Sequence, residues 1–246
     1  MDNPAEKKQI RDYGDINTNL RHWFLRLFEL GMGPFYDIGA NDGVFSRAFA
    51  GLYSVAYLFE ADPTTSARLK TLLSSAAFPD ALVVECALGD SPGEMLLYRY
   101  SDDSFNTLYP RTEFELDHYH LETAGEVRVP VRRLDDVVAQ EGLEPPRGIK
   151  IDVEGAELGV LQGAVSTLSR HHPWIVVEYS VDNTTNAGYD RARILLFLEE
   201  LGYAVGGLFR NEDTKLYWGQ ALESRKIWNL VAVHRSDSAA LSALSY

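Results

Sequence analysis

Residues 35–43 read Phe-Tyr-Asp-Ile-Gly-Ala-Asn-Asp-Gly. An apolar run enters a loop with two glycines and leaves it on Val44, Phe45, Ala48 and Phe49, which repeat at helical spacing. That is a strand–loop–helix unit, the building block of a parallel α/β sheet. In such a loop glycine lets the backbone approach a ligand, and the next helix offers unpaired N–H groups. A dinucleotide loop would carry three glycines as G-x-G-x-x-G and little negative charge. Here Gly39 and Gly43 stand beside Asp37 and Asp42. Two carboxylates repel a pyrophosphate but suit an ammonium or a sulfonium, so the ligand inferred is S-adenosylmethionine.

The chain of 246 residues is long enough for one α/β domain, and its 46% hydrophobic content supplies a core. A net charge of −13 argues against a general nucleic-acid binder. The densest basic cluster, Arg128, Arg132 and Arg133, alternates like one face of a strand. The single cysteine, Cys86, rules out an internal disulfide, and no Cys/His metal array exists. The polar start carries no signal peptide, and no apolar run reaches the ~18 residues of a membrane span. The expected location is cytoplasmic. The alternatives to a methyl-transferring enzyme are an NAD-dependent oxidoreductase on a Rossmann sheet and a binding module without chemistry. The missing third glycine counts against the first, and the retained acids described below count against the second.

Residues 1–17 are polar and expected to be mobile, while residues 19–30 place Leu20, Trp23, Phe24, Leu27, Phe28 and Leu30 on one helix face. That helix is either packed on the sheet edge or a lid at the cofactor mouth. A second strand is expected over residues 55–61, and Pro63 then sits at an early helix position. Glu60 follows Asp37 by 23 positions, close to the ~20 at which a carboxylate takes ribose hydroxyls in βαβ nucleotide sites. A third strand over residues 81–86 would bring Cys86, Ala87 and Leu88 to the adenine. Cys86 reads as a small buried residue, not a nucleophile.

Residues 94–100 and 126–132 both alternate and pair as a two-strand insert, within about residues 91–133. The loop between them offers Ser104, Asn106, Tyr109, His118, Tyr119 and His120 for hydrogen bonding to substrate. After a helix at 134–140, the fourth strand, 148–153, delivers Lys150-Ile151-Asp152-Val153-Glu154-Gly155-Ala156-Glu157. The fifth, 173–179, ends in Glu178. Parallel sheets bind ligands at the carboxyl ends of their strands, so Asp152, Glu154 and Glu178 share a rim with the first loop. Glu157 is either a member of that set or a first-turn acid favoured by the helix dipole. A helix at 191–201, a sixth strand at 203–208 and a last, antiparallel strand at 227–234 complete one domain, followed by a small-residue tail, 236–246.

The chain resembles the FkbM family of S-adenosylmethionine-dependent methyltransferases. The matching motifs are Tyr36-Asp37-Ile38-Gly39-Ala40-Asn41-Asp42-Gly43, Leu58-Phe59-Glu60-Ala61-Asp62-Pro63, Ala87-Leu88-Gly89-Asp90, Leu134-Asp135-Asp136 and the run from Lys150 to Glu157. They follow the family's order across residues 34–180. The resemblance implies a class I methyltransferase fold: a doubly wound, mostly parallel seven-stranded sheet with an antiparallel last strand, occupying residues 34–235 behind a helical extension, 1–33. It implies that Asp37, Gly39, Asn41 and Glu60 hold the cofactor and that Asp152 sits at its methyl-bearing end. Ala40, Gly43, Ala61, Cys86, Ala87 and Leu88 complete the expected contacts. The family commonly has Glu-Pro where this chain has Glu60-Ala61, and Thr107 stands in the serine place of a family loop. The expected acceptor is a hydroxyl on a sugar or natural product. Asp152 or Glu178 is then the general base, oriented by Glu154 and Lys150. A carboxylate is a weak base toward an alcohol, so burial must raise its pKa or a metal such as Mg²⁺ must assist.

Overall fold

The computed structural model describes residues 14–74, 80–209 and 214–244. Residues 1–13 of the expected mobile N-terminus lie outside them. The first helix is α1, Gly14–Phe28. It leads to β1 (Phe35–Ile38), α2 (Val44–Ala48), β2 (Ala56–Phe59), α3 (Pro63–Leu72) and β3 (Ala81–Val84). Next come β4 (Ala87–Leu88), β5 (Gly93–Tyr100), α4 (Glu113–His118) and β6 (Thr123–Arg132). The chain continues through α5 (Leu134–Glu141), β7 (Gly148–Ile151), α6 (Glu157–Gln162), α7 (Val165–His171) and β8 (Trp174–Glu178). It ends with α8 (Val181–Asn186), α9 (Ala192–Glu200), β9 (Tyr203–Phe209), β10 (Ile227–His234) and α10 (Ser238–Leu244).

The main sheet has seven strands in the order β3-β2-β1-β7-β8-β10-β9. β1 pairs in parallel with β2 and β7, and β7 with β8, whereas β10 is antiparallel to both β8 and β9. The expected class I topology is therefore present. β1, β2 and β7 are buried along their whole length, as a sheet covered on both faces requires. Alternation along β1 sends Tyr36 and Ile38 to one core, shared with Leu134, Leu161, Leu168 and Leu198 of the helices on that side. Phe35 goes to the other, with Phe24, Phe28, Phe49 and Trp174.

The α1 helix lies across this second face, not at the sheet edge: Phe24 packs edge-on to Phe35 and Trp174, which belong to central strands. Gly148 makes room for that cluster, since a Cβ there would fall 2.0 Å from the Trp174 ring. Residues 236–246, read from the sequence as a tail, contain α10, whose Ala240 and Leu244 are buried in the same core.

Two further differences concern the rim. The third strand stops at Val84, and the chain turns so that Ala87–Leu88 joins a separate sheet, β4-β6-β5. The small sheet therefore has three strands, of which the insert supplies the expected two, with Leu97 facing Val127 and Tyr98 facing Glu126 in the expected antiparallel pairing. The fourth strand stops at Ile151, leaving Asp152 and Val153 in the loop beyond it. Among the described residues no helix is long and apolar enough to cross a membrane.

Candidate active site

The loop after β1 is built on backbone conformations that few side chains allow. Gly39 has φ +75°, and a Cβ on it would lie 1.8 Å from the carbonyl oxygen of Asp152. Asn41 and Gly43 are also left-handed, at φ +46° and +65°. The N–H groups of Gly39 and Ala40 both donate to the Phe59 carbonyl at 3.0 Å, and Asn41 N–H donates to Oε2 of Glu60 at 2.9 Å. The end of β2 thus holds the loop of β1.

Beneath the loop, Lys150 Nζ donates to the Gly39 carbonyl at 2.8 Å and lies 3.4 Å from Asp37 Oδ1 and 3.5 Å from Asp152 Oδ2. Asp37 Oδ2 accepts from the Ser46 hydroxyl at 2.8 Å. Asp37 is fully buried and lines neither of the two cavities at this rim. Asp42 pairs with Arg68 at 2.6 Å. Asp37 is thus paired beneath the loop, as a buried charge must be, whereas Asp42, 24% exposed, borders the larger cavity beside Arg68.

The smaller cavity, about 80 Å³, brings together Gly39, Asn41, Glu60, Ala61, Cys86, Ala87, Leu88 and Asp152. Glu60 accepts from Asp62 N–H at 2.8 Å as well as from Asn41. Burial outweighs these bonds and pushes its pKa up to about 7. Burial also pushes the Cys86 thiol up to about 12, so no thiolate forms there.

The larger cavity, about 250 Å³, has Gly39, Ala40 and Asn41 on one wall and Asp152, Glu154 and Glu178 on another. Asp152 borders both cavities. Oxygens of the three acids lie within 4.8 Å of one another. Glu154, left-handed at φ +54°, accepts at Oε2 from Arg111 Nη2 at 2.5 Å and from Asn183 Nδ2 at 2.9 Å. Glu178 accepts at Oε2 from the same Asn183 nitrogen at 3.0 Å. Burial raises Glu154 to about 7 against the pull of Arg111. Burial together with the neighbouring carboxylates of Glu154 and Asp152 carries Glu178 well above the ordinary carboxylate range. Mg²⁺ takes oxygen ligands; with Arg111 and Asn183 donating to Oε2 of Glu154 and Asn183 to Oε2 of Glu178, such an ion would draw on Asp152 and the other oxygens of the two glutamates.

Glu157 turns inward as a clamp. Its Oε1 accepts from the N–H groups of Val153 and Gly155, each at 3.1 Å. It lines neither cavity. His118 and His120 also stay outside both, whereas Ser104 borders both, Tyr119 the larger, and Asn106 and Thr107 the smaller. Thr107 donates its hydroxyl to the Glu154 carbonyl at 2.6 Å, joining the insert to the acidic loop.

Sequence reasoning missed Arg111 and Asn183. Thr112 and Glu115 form a capping box, which is visible as T-x-x-E and marks Arg111 as the residue entering α4. Ser180 caps α8 through Asn183 N–H, a signal that puts Asn183 in the first turn after Glu178. Neither signal reveals the contact between them. The apolar walls, including Phe45, Phe105, Phe209 and Trp228, were likewise not foreseen.

The sequence model of the FkbM methyltransferase domain matches residues 37–205. The 2-O-methyltransferase NoeI of Sinorhizobium fredii (strain NBRC 101917 / NGR234) is 31% identical over 154 residues, which cover 58% of this chain and 62% of that protein. The match thus spans less than two thirds of that relative's length. Methyltransferase sdnD of Sordaria araneosa is 31% identical over 202 residues, covering 72% of this chain and 76% of its own. The crystal structure of methyltransferase FkbM from Methylobacillus flagellatus KT shares the fold, with a TM-score of 0.52 at 18% identity over 82% of this chain and 43% of that one. The O-methyltransferase from Bacillus cereus in complex with SAH does so with a TM-score of 0.50 at 16% identity, over 94% and 90%.

Proposed function

Because the chain belongs to the FkbM methyltransferase family, we propose that it transfers a methyl group from S-adenosylmethionine to a hydroxyl oxygen of a sugar or natural-product acceptor. The observation that carries this reading is the meeting of two cavities at Asp152, one beside Glu60 and one walled by Glu154 and Glu178. The printed name of NoeI, a 2-O-methyltransferase, supports an oxygen acceptor.

The residues fit the cofactor. Gly39 lets the Asp152 carbonyl pack against the loop where a Cβ would clash, and the left-handed Asn41 and Gly43 turn the loop into α2. Gly39, Ala40, Asn41 and Gly43 hold the methionine end. Asp37 contributes from beneath, through Lys150, by fixing the Gly39 carbonyl. Glu60 accepts hydrogen bonds from the ribose diol, and Ala61, Cys86, Ala87 and Leu88 close on the adenine. When bound, S-adenosylmethionine supplies an electrophilic methyl group on a sulfonium.

The acceptor occupies the larger cavity, with its ring or chain against Phe45, Phe105 and Trp228 and its hydroxyl toward the acids. Glu178 takes the hydroxyl proton, since burial beside other carboxylates makes it a stronger base than an ordinary glutamate. Asp152 orients the acceptor at the junction, and Glu154 is held by Arg111. Placement of the oxygen supplies much of the remaining rate.

Calorimetric titration with S-adenosylmethionine, its demethylated product and NAD tests the cofactor. A screen with labelled methyl groups then tests the acceptor. Binding of the first two without NAD is expected; binding of NAD alone would overturn the reading.

A further inference from the structure

The Asn183 side chain lies between the two acids that the proposed reaction places at the acceptor. Its Nδ2 donates to Oε2 of Glu154 at 2.9 Å and to Oε2 of Glu178 at 3.0 Å. Its Oδ1 accepts from Arg111 Nη1 at 3.2 Å, and Arg111 Nη2 reaches the same Glu154 oxygen at 2.5 Å. A guanidinium carries only donors. The amide oxygen must therefore face Arg111 and the amide nitrogen must face the acids, with one N–H for each. The side chain is spared for this task, because the N-cap contact to Ser180 uses the Asn183 backbone N–H.

We propose that Asn183 is a positioning residue whose amide holds Glu154 and Glu178 on one nitrogen, with Arg111 keyed to Glu154, so that Glu178, the member of the pair without a cation, is kept in the ionised form that can accept a proton. This rests on the reading of Glu178 as the base. Two carboxylates held this close cannot both ionise freely. The guanidinium pays for the charge on Glu154, and Glu178 has no cation of its own among the described residues. Its charged neighbours are Asp152, Glu154 and Glu157 from the loop and helix that follow β7. Lys150 on β7 is engaged by Asp37 and Asp152. Arg111 from the insert is engaged by Glu154 and Glu115. From β10, Trp228 and Asn229 border the same cavity and add no charge.

The test is a carboxyl ¹³C NMR titration of the full chain labelled at the glutamate side-chain carboxyl, with Glu154→Gln and Glu178→Gln assigning the signals. In the unsubstituted protein the two acids are expected to titrate as linked steps, Glu178 at the higher pH. In Asn183→Ala, loss of the donor moves the Glu178 midpoint upward by about one pH unit. Asn183→Ser keeps a hydroxyl donor and gives a smaller upward shift; it decides the matter if the alanine variant does not fold. Glu154→Gln lowers the Glu178 midpoint. Unshifted midpoints in the folded variants, or a downward shift in Asn183→Ala, would overturn the proposal. The titration needs neither cofactor nor acceptor, so its failure is separate from a failure of methyl transfer, which calorimetry and the label screen read.

Discussion

Asp37 and Lys150 are register partners on the adjacent parallel strands β1 and β7, and their side chains come within 3.4 Å beneath the Gly39 loop. The contact is an ion pair by distance; Asp37 Oδ1 lacks a partner in hydrogen-bond geometry. Both side chains are almost wholly buried, 1% and 6% exposed. Burial alone would lower the Lys150 pKa, but the carboxylates of Asp152 and Asp37 raise it. The ammonium thus stays charged and ties the first motif of the chain to the last.

Lys150→Met leaves Asp37 buried without its cation. Removing one partner of such a pair costs about 3–5 kcal/mol. Urea unfolding should show a loss of that size, and an unchanged midpoint would remove Lys150 from the support of the loop.

Gly39→Ala forces a Cβ to within 1.8 Å of the Asp152 carbonyl and adds the ~1–2 kcal/mol penalty of a left-handed residue. The loop must move away from Asp152. S-adenosylmethionine binding, read by calorimetry, should weaken by roughly an order of magnitude or more.

Phe24→Ala removes a ring that touches Phe28, Phe35, Phe45, Phe49 and Trp174. A cavity there should cost about 3–5 kcal/mol in chemical denaturation. A loss below 1 kcal/mol, well under that range, would show that α1 does not seal the sheet.

Burial raises the pKa of Glu60 and Glu154 from 4.5 to about 7 and that of Glu178 well above 4.5. The folded state therefore binds these protons more tightly than the unfolded one. The resulting stability is fully present below pH 4.5 and is lost as pH rises through about 7. The urea midpoint of the ligand-free protein should fall between those limits, and Glu60→Gln should flatten part of the slope.

The same shifts set the direction of the pH–rate profile, since Glu178 accepts a proton only when ionised. Turnover should rise with pH until Glu178 has titrated, and Glu178→Gln should reduce kcat with little change in S-adenosylmethionine affinity. Turnover of the variant close to the unsubstituted level would remove Glu178 from the role of base.

The local grammar of the chain was legible. Alternation set the pairing of β5 with β6, and the two-glycine loop marked the turn between β1 and α2, because these patterns arise from neighbours a few residues apart. The turn at Glu85–Cys86 was not, since residues 81–86 read as one strand running on into Ala87 and Leu88 until β6 is in place to draw Ala87–Leu88 into the second sheet.

Within the site, sequence alone assigned Gly39, Glu60, Asp152, Glu154 and Glu178 to one rim, because parallel strands deliver their carboxyl ends together. It did not tell which of those charges are free. Asp37 is paired with Lys150 beneath the loop and Asp42 borders the larger cavity, while Glu154 is met by Arg111 from 43 positions away and by Asn183 from 29. Motif and period determined where the acids lie along the sheet edge. Only the tertiary structure decided their ionisation, because that depends on burial and on which distant donor packs against each oxygen.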